Sequence, residues 1–180
     1  MLSELQKRKL TVLFHHHDMN HDGFLGKADY EQFVKRFGEI QNHPSGSPEY
    51  EAVYTQTMAA WEHVRQVADK DQDGRVSLEE FLESYDVTLS DEKLYDQLLV
   101  QYAQSLLALW DRDGDGRLSG VEYVALCGCY GVGEEAAREA FRHLDRDGSG
   151  YLTTEELIQN FKGFYGDDPD APGNWTFGPY

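Results

Sequence analysis

The sequence predicts an all-α protein of eight helices, arranged as four helix–loop–helix units in two pairs. Three observations predict it. A twelve-residue acidic pattern occurs four times, at 18–29, 69–80, 111–122 and 145–156. Apolar residues recur at helical spacing on both sides of each copy. Aromatic residues make up 13% of the 180 residues and lie along the whole chain, which provides enough large apolar surface for a core.

The helices before the loops are predicted from their apolar positions. These are Leu10, Leu13 and Phe14 before loop one; Trp61, Val64, Val67 and Ala68 before loop two; Leu106, Leu107 and Trp110 before loop three; and Phe141 and Leu144 before loop four. A longer stripe, Leu94, Leu98, Tyr102, Leu106 and Leu109, predicts one helix from about Ser90 to Trp110. Each of these stripes is expected to be buried.

The helices after the loops are expected to begin directly after the closing acid, at Tyr30, Phe81, Tyr123 and Leu157. Breaks between helices are predicted at Asn42–Pro48, which is rich in Pro, Gly and Ser, and at Gly131–Gly133. Residues 166–180 contain too much Pro and Gly for an α-helix. Because this tail carries Trp175, Phe177 and Tyr180, we expect it to dock into an apolar groove between the helix–loop–helix units.

Each loop has the pattern Asp-x-(Asp/Asn)-x-(Asp/Ser)-Gly, with an acid six residues after the glycine. Ca²⁺ takes six to eight oxygen ligands, which such a loop supplies from side chains at positions 1, 3 and 5, the carbonyl of position 7, position 9 through water and a bidentate acid at position 12. The glycine at position 6 permits the positive φ of a sharp turn. The aliphatic residue at position 8 suits a short strand, so the loops are expected to pair through a β contact. Each loop is therefore a predicted calcium site.

The predicted ligands differ among the loops. They are Asp18, Asn20, Asp22, Phe24 and Asp29 in loop one; Asp69, Asp71, Asp73, Arg75 and Glu80 in loop two; Asp111, Asp113, Asp115, Arg117 and Glu122 in loop three; and Asp145, Asp147, Ser149, Tyr151 and Glu156 in loop four. Phe24, Arg75, Arg117 and Tyr151 are included for their carbonyl oxygens. Loops two and three carry four carboxylates each and should bind calcium most reliably. Loop four has one charge fewer because Ser149 replaces an acid.

Loop one departs most from the pattern. Gly26 stands at position 9, and Asp29 stands at position 12 where glutamate is usual. Aspartate is shorter by one methylene, so bidentate closure is harder, and a monodentate acid suits the smaller octahedral shell of Mg²⁺. The sequence therefore predicts up to four Ca²⁺ ions, with Mg²⁺ as an alternative in loop one.

The domain boundaries and the partners follow from spacing and charge. We expect an N-terminal pair of helix–loop–helix units over 1–88, a C-terminal pair over 89–165 and a tail over 166–180. The formal charge of −17 repels nucleic acid and anionic membranes and favours cations.

Cys127 and Cys129 are expected to be free thiols, with Cys127 buried. Without a signal sequence or an apolar span, we expect a cytoplasmic monomer. The sequence contains no nucleophile–base pair, so we expect no enzyme.

The four loops, the long helix before loop three, the acidic aromatic tail and the Tyr130–Ala136 connection resemble the EF-hand proteins of the sarcoplasmic calcium-binding protein group, which includes calexcitin and calerythrin-like members. The resemblance implies two EF-hand pairs in one compact globule and a role in calcium buffering or signalling. Two alternatives stay open. One is a calmodulin-like or calexcitin-like sensor acting on an unidentified protein target. The other is a coelenterazine photoprotein or luciferin-binding protein, although loop two is intact here and the chain ends in Tyr180, unlike the photoproteins.

Overall fold

Eight α-helices and two small sheets form the computed structural model, which describes residues 1–178. The helices are α1 (Glu4–His17), α2 (Lys27–Gln41), α3 (Pro48–Ala68), α4 (Leu78–Ser90), α5 (Glu92–Trp110), α6 (Gly120–Cys129), α7 (Glu134–Leu144) and α8 (Thr154–Tyr165). The strands are β1 (Phe24–Leu25), β2 (Val76–Ser77), β3 (Leu118–Ser119) and β4 (Tyr151–Leu152). The prediction of an all-α fold with eight helices is confirmed. No helix within residues 1–178 has both the length and the apolar character needed to span a membrane.

The predicted β contacts between neighbouring loops are present. β1 pairs antiparallel with β2, and β3 pairs antiparallel with β4. The position-8 residues face each other in both ladders, Leu25 opposite Val76 and Leu118 opposite Leu152. All four of these side chains are buried, as expected. Each ladder therefore joins two loops through a shared apolar contact.

The helices that follow the loops begin three residues earlier than predicted, at position 10 of each loop instead of directly after position 12. The reason is a capping box. In loop three, Ser119 Oγ accepts a hydrogen bond from the Glu122 amide at 3.4 Å, and Glu122 Oε2 accepts one from the Ser119 amide at 2.8 Å. Thr153 and Glu156 form the same pair before α8. The closing acid therefore lies in the first helical turn, where the helix dipole favours a negative charge.

Contacts divide the chain into two units. One unit comprises Leu10–Val87, and the other comprises Met1–Lys9 together with the described residues from Thr88 onward. In the first unit, Phe14 meets Phe81 edge to face at 5.5 Å, and Tyr30 packs on Trp61 at 5.2 Å between ring centroids. These contacts bring together aromatic residues of α1, α2, α3 and α4. The second unit contains loops three and four and the tail.

Two of the predicted buried stripes are shifted. Val67 was expected in the buried face of α3, but its side chain is 53% exposed, and Trp61 and Ala68 are the buried members of that stripe. On α5, Leu94 is exposed, and Leu98, Tyr102, Leu106 and Leu109 are only partly buried. The fully buried face runs through Leu99, Ala103 and Trp110. Apolar periodicity locates a face to within about one residue, because neighbouring positions on a helix lie only 100° apart.

Within the second unit, the tail packs against α7 and α8. A short 3₁₀ turn, Pro172–Trp175, lies over α7 and α8. The Trp175 ring stacks on His143 with 4.2 Å between centroids, and Phe177 meets Phe164 edge to face at 4.8 Å. The Tyr123 hydroxyl donates to the carbonyls of Trp175 and Thr176, each at 3.1 Å. The prediction that the tail docks is confirmed up to residue 178, whereas Tyr180 lies outside the described residues.

Lys9 fixes the tail from its other side. Its side chain is fully buried, and its ammonium donates to the Gly166 carbonyl at 2.9 Å and to Asn174 Oδ1 at 2.8 Å. Burial lowers the pKa of Lys9 to about 8, while the charges of Asp167 and Asp168 oppose that shift. The ammonium thus joins α1, the end of α8 and the tail.

Candidate metal centre

The backbone of each loop turns sharply at two positions, only one of which was predicted. The position-6 glycines Gly23, Gly74, Gly116 and Gly150 all have positive φ, as expected. Position 4 is also left-handed, with φ 60° at His21, 61° at Gln72, 74° at Gly114 and 69° at Gly148. Glycine at this position in loops three and four was the available signal in the sequence. His21 and Gln72 adopt the same turn against the steric preference of residues with a Cβ.

These turns aim backbone amides at the first carboxylate of each loop. The position-6 amide donates to Oδ2 of the position-1 aspartate in all four loops: Gly23 to Asp18 at 3.0 Å, Gly74 to Asp69 at 3.1 Å, Gly116 to Asp111 at 2.8 Å and Gly150 to Asp145 at 2.9 Å. The loop amides therefore hold the position-1 carboxylate in one orientation. Its charge is directed toward the inside of the loop.

Loop three brings Asp111, Asp113 and Glu122 together. Each offers one carboxylate oxygen, and these oxygens lie within 4.8 Å of one another. Glu122 is only 6% exposed, and its Oε1 accepts a hydrogen bond from the Arg112 amide at 2.7 Å. Like charges at this spacing repel one another, and a divalent cation between them removes the repulsion. Hard carboxylate oxygens are also the ligands that Ca²⁺ prefers.

Loop two forms a similar cluster from Asp69, Asp71 and Asp73. Asp69 Oδ1 is buried and has no hydrogen-bond partner. A buried carboxylate oxygen without a partner is costly, so this atom fits a metal ligand. Glu80 lies outside the cluster, with Oε1 accepting from the Lys70 amide at 3.0 Å. Burial raises the pKa of Glu80, but hydrogen bonds from Ser77, Lys70 and Asp71 outweigh it and lower the pKa overall.

Loop four groups Asp145, Asp147 and Glu156 in the same way. Ser149, which replaces an acid at position 5, donates through its amide to Asp145 Oδ1 at 3.0 Å and to Asp147 Oδ1 at 2.9 Å. Hydrogen bonds from the Ser149 hydroxyl and amide lower the pKa of Asp147. These bonds favour the charged form of Asp147, and a negative carboxylate suits a divalent cation.

Loop one differs from the other three. Among the described residues it forms no cluster of three acidic, His or Cys ligands, because Asn20 stands at position 3. Asp29 is buried, and it accepts hydrogen bonds from the Gly26 amide at 2.8 Å and the Asn20 amide at 3.1 Å. Burial raises the pKa of Asp29, those amides oppose the shift, and the charges of Asp18 and Asp22 add to it. Asp29 is therefore held inside the loop, but with less charge around it.

The side chains at position 7 were missed by sequence reasoning, which used only their carbonyls. The Arg75 guanidinium lies over the Phe24 ring, 4.0 Å from its centroid, and the Arg117 guanidinium lies over the Tyr151 ring at 4.2 Å. In each pair of loops, an arginine from one loop covers an aromatic ring from the other. The available signal was the pairing of Arg with an aromatic residue at position 7 of neighbouring loops.

The structure contains four helix–loop–helix units, and short antiparallel β contacts join their loops in pairs. Carboxylates gather in these loops, which defines the class of helix–loop–helix proteins that bind divalent cations. A family model described as an EF-hand domain pair matches residues 7–86, and a model described as an EF-hand domain matches residues 136–166. The chain belongs to the EF-hand family. Calcium binding is the property that this family and the acidic loops support.

Similar proteins agree with the predicted group. The chain is 22% identical to calerythrin of Saccharopolyspora erythraea over 167 residues, which covers 92% of this chain and 94% of the relative. A solved sarcoplasmic calcium-binding protein from amphioxus has TM-score 0.73 at 19% identity, with both chains covered completely. The calcium-loaded apo form of the coelenterazine-binding protein of Renilla muelleri has TM-score 0.80 at 21% identity, covering 99% of this chain and 100% of that one. At these identities, the two structures show a shared fold only.

Proposed function

We propose that this chain is a cytoplasmic calcium buffer that shapes calcium signals, acts as a monomer and catalyses no reaction. The observation that carries the proposal is the docked tail. A sensor of the calmodulin type must expose an apolar, methionine-rich groove to grip a target. Here Trp175 and Phe177 of the tail pack on His143 of α7 and Phe164 of α8, and the whole sequence contains only 3 methionines. A covered apolar face supports ion storage over target capture.

Loops two, three and four are proposed as the calcium sites of this buffer. The support is the convergence of three carboxylates in each of them. Loop three would hold the ion with Asp111, Asp113, Asp115 and Glu122, together with the Arg117 carbonyl. The equivalent positions of loops two and four would do the same. The bound ions would offset part of the charge of −17, so calcium should also stabilise the fold.

Loop one is proposed as a weaker site that tolerates Mg²⁺. The support is the shorter closing acid, Asp29, and the amide ligand Asn20 in place of a carboxylate. Fewer charges and a monodentate acid reduce the preference for the larger ion. Equal calcium affinities at loops one and three, each measured with the other loops disabled, would contradict this assignment.

A calcium titration of the metal-free protein tests the buffer against the sensor. The protein is titrated at about millimolar Mg²⁺, and the fluorescence of the surface dye ANS is followed together with the heat of binding. For a buffer, calcium binds and dye fluorescence falls or stays flat, because no apolar surface opens. A rise of dye fluorescence at micromolar calcium would show that an apolar surface opens, and the protein would then be assigned as a sensor instead of a buffer. No calcium binding at all would overturn both.

The same sample tests the remaining alternative. Adding coelenterazine and then calcium should give neither light nor a retained visible absorbance if the protein is a buffer. Either signal would assign the chain to the luciferin carriers or photoproteins, to which it is so far linked by fold alone.

A further inference from the structure

Arg75 and Arg117 stand at position 7 of the two loops that carry four carboxylates each. Position 7 contributes its carbonyl to the ion, so its side chain is free to take another role. Both arginines use that side chain in the same way. Each contacts an acid of its own loop and an aromatic ring of the paired loop.

The first contact takes up the whole position-5 carboxylate. In loop three, Asp115 Oδ1 accepts from the Arg117 amide at 2.9 Å, and Oδ2 accepts from the Arg117 guanidinium at 2.7 and 3.1 Å. In loop two, Asp73 Oδ1 accepts from the Arg75 amide at 2.8 Å, and Oδ2 accepts from its guanidinium at 3.1 Å. A predicted calcium ligand is thus bound on both oxygens by one arginine.

The second contact crosses the ladder between the loops. Arg117 lies over Tyr151 of loop four, and Arg75 lies over Phe24 of loop one. A guanidinium over an aromatic face is held by the ring quadrupole while its edge remains available for hydrogen bonds. The ring therefore holds the arginine beside the carboxylate. The paired loop, not only the loop's own sequence, decides where the guanidinium sits.

Loops one and four have no such cation on position 5. Asp22 Oδ2 accepts from the Asn20 amide group at 3.2 Å, and Ser149 replaces the acid in loop four. Each of these loops supplies the ring instead of the arginine. In each pair of loops, one loop therefore carries an arginine that pairs with its own position-5 acid. The other loop carries the aromatic ring on which that arginine lies.

We propose that Arg75 and Arg117 are affinity-setting residues which compete with calcium for the position-5 carboxylate and make the affinity of loops two and three depend on the paired loop. This inference rests on the proposed calcium binding. For Asp115 Oδ2 to ligate the ion, the guanidinium must leave it, because two cations sharing one oxygen repel each other. The ring of Tyr151 keeps the displaced guanidinium nearby, so the competition persists. Arg75 and Phe24 act in the same way on Asp73.

Calorimetric titration of loop three alone tests the proposal. The full chain carries Asp29→Asn, Glu80→Gln and Glu156→Gln, which disable the other three loops. In this parent, Arg117→Met should tighten calcium binding about fivefold, the upper range for releasing an exposed ion pair. Arg112→Met is the matched control, because Arg112 is an exposed arginine at position 2 of the same loop. It removes the same charge without touching Asp115, so it should change affinity by less than about twofold.

The dependence on the paired loop is tested by Tyr151→Leu, which keeps the carbonyl and removes the ring. It should tighten binding in the parent but have no effect once Arg117→Met is present, so the two changes are not additive. Equal affinities for Arg117→Met and Arg112→Met would overturn the competition. An undiminished Tyr151→Leu effect in the absence of Arg117 would overturn the coupling.

Arg75→Met, in a chain where only loop two is left active, repeats the test independently and covers the case in which the loop-three parent does not fold. Failure here and failure of the proposed function are distinguishable. A wild-type chain that binds no calcium removes the function itself. A wild-type chain that binds calcium, with no gain from Arg117→Met or Arg75→Met, removes only the role of the arginines.

Discussion

The tail can be released by adding a single methyl group. Gly173 packs directly on α8, and a Cβ built on it would lie 2.0 Å from the Asn160 carbonyl oxygen and 2.9 Å from the Gly163 Cα. Both are backbone atoms of a helix, so they cannot rotate away as a side chain could. Gly173→Ala must therefore push the 3₁₀ turn off α8, although it changes no charge and no calcium ligand.

The loss of folding stability in Gly173→Ala has two sources, which are the overpacking itself and the contacts that weaken when the 3₁₀ turn moves. Overpacking a close contact costs about 1–3 kcal/mol. Moving the turn also weakens the Lys9 bond to Asn174 and the stacking of Trp175 on His143. A loss of about 2 kcal/mol in a chain of this size lowers the melting temperature by roughly 4–8 °C.

Thermal unfolding of the calcium-loaded protein by circular dichroism, with ANS binding on the same samples, measures both effects. Gly173→Ala should melt earlier and bind more dye, because lifting the turn uncovers apolar surface of α7 and α8. Gly133→Ala is the control, since Gly133 has φ −63° and a Cβ built on it would meet no atom within 4 Å. It should stay within about 0.5 kcal/mol of the wild type. A Gly173→Ala protein that melts with the wild type and binds no extra dye would refute the packing of the tail.

Two further predictions concern single side chains. Gln72→Gly should stabilise the calcium-free protein by about 0.5–1 kcal/mol in urea unfolding, because relief of the left-handed strain at φ 61° exceeds the added chain entropy. Gln56→Gly, at an exposed position in the middle of α3, should instead destabilise by about 1 kcal/mol, and equal effects would contradict the strain at position 4. For Lys9, the folded pKa of about 8 lies below the ordinary 10.5. The unfolded chain therefore holds more protons between these values, so stability should rise with pH across that window and level off below about pH 8. Lys9→Met should remove this rise, and an unchanged slope in urea midpoints would exclude Lys9 as its source.

The sequence was sufficient to locate the four acidic loops and their turns, because the geometry of such a loop is local. Twelve consecutive residues fix which oxygens point inward, and the position-6 glycine fixes the turn, so the loop positions and the buried position-8 residues needed no tertiary information. The helix starts were missed by three residues, because the capping acid at position 12 is also part of the helix. The left-handed position 4 was visible only where it is glycine.

Tertiary structure alone decided what the remaining side chains do. Lys9 is separated by more than 150 residues from the carbonyls and the amide that it contacts, and no local pattern marks an ammonium for burial. Val67 and Leu94 lie at the edges of apolar stripes, where the packing of neighbouring helices determines exposure. The arginines at position 7 gain their role only when a second loop brings a ring beside them. By itself the sequence determined the positions of the four acidic loops, since their pattern is local. The fold decided which side chains lie beside the loop acids and what covers the helices, since those contacts join distant parts of the chain.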